Sequence, residues 1–172
     1  MKHVPHQAVK HSLFVVQSAL LCAIGAAAAA ASAAGPAAIR QSQNTMRTVW
    51  EGVYTSDQAR RGEQAFKTEC SYCHRDDLAG GFLDNGSGSA PALAGARAFG
   101  SSFSERWKDL SIGEMIATVA ATMPLPNPAS LTLQNYVDVV AYLLAKNGVP
   151  AGGSELPTDV EALGRILVTE KK

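Results

Sequence analysis

Cys70-Ser71-Tyr72-Cys73-His74 sets two thiols three positions apart, with an imidazole directly after the second. That spacing is the covalent attachment pattern of a c-type haem. Residues three apart share one side of a helical turn. Both thiols can therefore reach the two vinyl-derived carbons along one edge of a porphyrin, while His74 presents its imidazole to the iron from the same turn. The histidine census agrees: of His3, His6, His11 and His74, three fall in the first eleven positions. Zinc wants four ligands, usually several thiolates, and past residue 34 only Cys70, Cys73 and His74 are thiols or imidazoles. A thioredoxin-like redox pair wants a βαβ setting, which the surrounding helical and glycine-rich patterns do not offer.

Iron bound by His74 has a sixth position to fill unless it is to take gases or peroxide. With no second imidazole, the candidates are the thioethers of Met46, Met115 and Met123. Met46 lies in a polar stretch and Met115 early in an expected helix. Met123 comes 49 residues after His74, where that helix must end, on a strap with Pro124, Pro126 and Pro128. Proline's fixed φ can hold a sulfur over the metal without a helix crowding the ring, and His/Met ligation raises the reduction potential. The alternative is an apolar plug, since methionine fills gaps well. A ligating imidazole usually donates its other N–H to an oxygen acceptor, and the carbonyl of Pro91 is the candidate, against a simple turn proline. Propionates of such a group want donors. The Trp107 indole and the Arg97 guanidinium suit them, although either also reads as ordinary core or surface.

These residues need elements to hold them. A first helix is expected from Ser56 to Tyr72, capped by Thr55 or Ser56, with Gln58 three after Thr55 as in a capping box. Ala59, Gly62 and Phe66 share one of its faces. Residues 79–95, with five glycines, read as an irregular loop. A short helix over 104–110 follows, then one beginning at Ser111 with Glu114 completing a capping box and stopping before Pro124. The last helix runs from the Thr132 cap to the Asn147-Gly148 stop, with Tyr136, Val139, Val140, Leu143 and Leu144 as one apolar stripe. Gly152-Gly153 reads as a hinge into a tail over 151–172, in which Thr158 onward could start a short helix. No strand pattern is evident. The fold class is all-α: three to five helices around one covalently bound haem. So few modest helices make a small core, which a flat apolar cofactor would complete.

The chain of 172 residues balances 15 basic against 15 acidic groups, which argues against nucleic acid as a partner. Residues 1–34 are expected to be a signal peptide: Lys2 and Lys10 open it, an apolar run spans 13–31, and Ala31-Ser32-Ala33 is an A-x-A-like cleavage site. A retained membrane anchor is the alternative, the run being near spanning length. Cys22 falls in this leader. Cleavage leaves a charge of −2 and no cysteine beyond Cys70 and Cys73, in an exported, periplasmic-type compartment. A linker over 35–49 and a domain over 50–150 complete the division.

Taken together, Gly62 and Phe66, the Cys70–His74 motif, Ala90-Pro91-Ala92-Leu93-Ala94-Gly95, Thr122-Met123-Pro124 and Tyr136 to Leu143 resemble a class I c-type cytochrome over about Trp50 to Pro150. The resemblance implies first and last helices packed crosswise, with Gly62 admitting Tyr142 and Val139 beside Phe66. It also implies that Pro91 orients the ligand histidine and that Met123 is the second axial ligand. The function it implies is electron transfer by one haem c, iron cycling between ferric and ferrous, rather than an enzyme. The alternatives are a haem subunit of an exported dehydrogenase complex, or a sensor or peroxidase-like protein with an open sixth site. The Met123 strap and the 144–150 ending also resemble modules serving exported quinoprotein dehydrogenases. Such an enzyme is then the expected donor and a terminal oxidase the acceptor, with a membrane involved only if the leader is uncleaved. Arg75 departs from the pattern, standing after the histidine where many relatives have glycine.

Overall fold

The computed structural model describes residues 45–95, 102–125 and 127–171. The leader, the first part of the linker, Arg97 and Pro126 lie outside them. The order of elements is β1 (Arg47–Thr48), a 3₁₀ turn (Val49–Glu51), α1 (Ser56–Glu69), α2 (Ser71–His74), β2 (Gly81–Phe82), β3 (Ser89–Ala90), α3 (Phe103–Trp107), α4 (Ile112–Thr122), α5 (Leu133–Lys146), α6 (Val160–Leu163) and β4 (Ile166–Leu167).

The architecture is the expected small all-α fold, with six α-helices among the described residues rather than three to five. The extra one arises because the first expected helix breaks at Cys70, whose φ of −124° leaves the helical region, before the turn Ser71–His74. Four two-residue strands also form: β1 pairs parallel with β4, and β2 antiparallel with β3. Strands this short show no alternation to read.

Helix ends follow the side chains. Ser111 and Glu114 form the expected capping box, Ser102 and Glu105 a second one that starts α3, and Thr132 caps α5. Thr55 caps α1 by accepting from the Gln58 backbone N–H, but the expected capping box is absent. The buried Gln58 amide donates to the Leu156 carbonyl at 3.0 Å and accepts from the Leu156 N–H at 2.8 Å. A buried amide is satisfied by whichever backbone faces it, and here that is distant in sequence.

The centre of the fold is α1 against α5. Phe66 and Tyr142 lie with ring centroids 5.4 Å apart. All of α5 from Tyr136 to Leu144 is buried, so α5 is enclosed on more than the single stripe expected. Its one buried charge, Asp138, is held by Arg61 of α1 at 2.9 and 3.1 Å and by Gln134 at 2.7 Å. The same guanidinium reaches Glu155 at 2.8 and 2.9 Å, and those hydrogen bonds hold the Glu155 carboxyl below the usual carboxylate range.

The segment 151–172 is not a tail beyond the domain, nor is 47–49 linker. Leu156, Leu163, Ile166 and Val168 are core residues alongside Val49 and Val53. Gly152, read as a hinge, is a point of close approach: a Cβ there would collide with the Gly52 backbone. Its N–H donates to the Tyr54 carbonyl at 2.7 Å. The final helix is capped by Asp159 rather than begun at Thr158. The folded unit thus reaches past both boundaries expected at 50 and 150.

Candidate haem site

The break at Cys70 and the turn after it build the site. Cys73 and His74 N–H groups both donate to the Cys70 carbonyl, at 3.2 and 3.0 Å, and Arg75 N–H donates to Ser71 at 2.7 Å. That turn brings Cys70, Cys73 and His74 to one cleft of about 220 Å³, whose lining also includes Pro91, Trp107 and Met123. All six of the expected site residues therefore meet in one place, from four separate parts of the chain. Phe66, Leu93, Val119, Val139 and Leu143 supply its apolar wall.

His74 is buried, and its Nδ1 lies 3.0 Å from the Pro91 carbonyl. A carbonyl only accepts, so Nδ1 carries the proton and Nε2 keeps its lone pair. Burial pushes the imidazole below its ordinary value; the Pro91 bond opposes this and the nearby Arg106 charge adds to it. The ring is therefore neutral at pH 7, the form that binds metal. The Pro91 segment is itself pinned: Leu93 N–H donates to Leu78 at 2.8 Å, and the Asn147 side chain donates to Leu93 at 2.9 Å. A Cβ on Gly80 would strike the Ala90 and Pro91 backbone, so this approach needs glycine there.

Cys70 and Cys73 are not bonded to each other, and both are half-buried. Burial, with the Glu69 and Cys73 charges adding to it, pushes the Cys70 thiol up to about 11. It is a neutral thiol at pH 7, unlike the low-pKa thiolates of redox nucleophiles. Met123 caps the end of α4, its N–H donating to Val119 at 2.7 Å. Paired thiols, a neutral buried imidazole with one free nitrogen, a thioether and an apolar wall together suit a covalently held haem. Cys70 and Cys73 would hold the ring, and His74 and Met123 would bind the iron.

Trp107 is buried and lines the cleft beside Arg106, which sequence reasoning passed over. Its adjacency to Trp107 in a short helix was the available signal, and its guanidinium lines the cleft where it could serve an anionic group; the expected Arg97 lies outside the described residues. Asn147 was read only as a stop signal.

Arg75 confirms the local departure. Its φ of 62° and ψ of 160° lie where side chains are strained and glycine is at ease. The turn holds it there: its N–H donates to the Ser71 carbonyl at 2.7 Å, its carbonyl accepts from Leu78 N–H at 3.1 Å, and its guanidinium makes a long hydrogen bond to the Phe82 carbonyl at 3.4 Å. Arg75→Gly is therefore expected to stabilise the protein by about 1 kcal/mol, strain relief exceeding the entropy that glycine adds to the unfolded chain. A urea midpoint unchanged or lowered in that variant would contradict this.

The family model for Cytochrome c matches residues 59–146. The chain belongs to the cytochrome c family, and its domain is a class I c-type cytochrome that carries covalently bound haem c with iron. Members of this family are typically electron carriers rather than enzymes. No curated protein and no solved structure matches the chain.

Proposed function

We propose that this protein is an exported electron carrier in which Cys70 and Cys73 hold one haem, and His74 and Met123 are its axial ligands. The observation that carries the reading is the meeting of those four side chains in one cleft, with the His74 tautomer fixed by Pro91. Bound haem supplies reversible one-electron storage as iron passes between its ferric and ferrous states. The chain's residues do the rest. Pro91 keeps Nδ1 protonated, which leaves the Nε2 lone pair as the one that would bind iron. Met123 would supply a soft second donor that favours the ferrous state. Phe66, Val139 and Leu143 keep water from the ring and limit rearrangement between redox states.

The leader over 1–34 is removed in this reading, leaving the carrier in a periplasmic compartment. Its partners are redox proteins met through small, weak interfaces, with an exported quinoprotein dehydrogenase as donor and a terminal oxidase as acceptor. Leu125, 66% exposed while lining the cleft, offers such a partner an apolar contact.

The test is Met123→Ala in the haem-loaded protein. The wild type should show a methionine-to-ferric-iron charge-transfer absorption, and the variant should lose it. The variant's reduction potential should fall, and added imidazole should bind at least about tenfold more tightly. A wild type without that absorption, binding imidazole as readily as the variant, would favour the open sixth site of a sensor or peroxidase-like protein.

A further inference from the structure

We propose that Tyr136 is the positioning residue of the Met123 strap, fixing through one hydrogen bond the segment that brings a thioether to the cleft. The inference rests on the axial reading of Met123 given above. Three residues of the strap, Pro124, Pro126 and Pro128, bring no N–H to any backbone ladder. Its ties among the described residues come from outside it. Met123 N–H closes the last turn of α4 on Val119, and Ala129 N–H reaches Ala120 at 2.9 Å at the far end. Between them, the Tyr136 hydroxyl donates to the Met123 carbonyl at 2.8 Å.

The donor is delivered by a rigid element. Tyr136 is in the first turn of α5, its N–H bonded to the Thr132 carbonyl at 3.1 Å, and the residue is only 4% exposed, within the core. Packing alone would be served by phenylalanine, and a tyrosine hydroxyl in such a place needs a partner. That partner is the carbonyl of the residue whose side chain lines the cleft. With Met123 held at its N–H by α4 and at its carbonyl by α5, its backbone is fixed on both sides of the side chain.

Tyr136→Phe retains the ring and deletes the donor. In the ferric haem-loaded protein, imidazole is expected to displace methionine about tenfold more readily than in wild type, equivalent to about 1.4 kcal/mol. The charge-transfer absorption should survive at low temperature and fade on warming sooner than in wild type. In a Met123→Ala background the same substitution should leave imidazole affinity unchanged, since nothing remains to be positioned. A purely structural role predicts otherwise: an equal loss of denaturation midpoint in both backgrounds, with imidazole affinity in Tyr136→Phe equal to wild type. That result overturns the proposal while leaving the axial reading intact. A wild type lacking the absorption overturns the axial reading, and this proposal with it.

Discussion

Gly62→Ala should lower the melting temperature of the haem-loaded protein by about 10 °C or more, a loss of about 3 kcal/mol or more. A Cβ built at Gly62 falls on the backbone carbonyl of Asp138 and 3.0 Å from the Tyr142 Cβ. The obstacle is the main chain of α5, not the end of a side chain, so relief requires α1 and α5 to move apart along their whole contact. Alanine's better helix propensity, worth about 1 kcal/mol over glycine, works in the opposite direction and is outweighed. Gly153→Ala is the matching control. Nothing lies within 4 Å of a Cβ there, so its midpoint should stay within about 0.5 kcal/mol of wild type. A Gly62→Ala protein melting within a degree or two of wild type would mean that the helices can separate at little cost.

Replacing Cys70 and Cys73 together with alanine should make the pigment fully extractable by acid–acetone, whereas the wild type keeps it. The larger effect is on folding. With the ring gone, Phe66, Leu93, Trp107, Val139 and Leu143 face a void of about 220 Å³. At about 24 cal/mol per Å³ for a closed cavity, emptying this open cleft costs up to about 5 kcal/mol, comparable with the whole stability of many small domains. The variant should therefore behave as a protein stabilised by a dissociable ligand, its melting temperature rising with added haem, while the wild-type value stays independent of it. A variant that melts like wild type in haem-free buffer would show that the core stands without its cofactor.

The attachment turn, the capped helices and the Met123 strap were legible because each is specified within a few residues. Thiol spacing, a Ser111–Glu114 box and a proline after methionine are local statements. What escaped was decided at long range. Gly152 looks like a hinge because glycine permits bending; only the approach of Gly52 reveals that it is needed for lack of a Cβ. Gln58 has a plausible partner at its own helix start, and its real one, Leu156, lies 98 positions away. Tyr136 fits an apolar stripe so well that its hydroxyl went unassigned. In the site, the six residues were each proposed on their own chemistry, but that they share one cleft follows from how α1, α3, α4 and α5 pack.

The pairing of β1 with β4 has a mechanical consequence. The strands run parallel and sit near the two ends of the folded unit, so a pull on those ends drags them past each other in opposite directions. Such a load is shear, borne by every rung together rather than peeled one rung at a time. Val168 adds rungs of its own, donating to Leu110 and accepting from Asp109, each at 2.9 Å. None of these residues lines the cleft, so tension from a tether at either end is taken up before it reaches the ring.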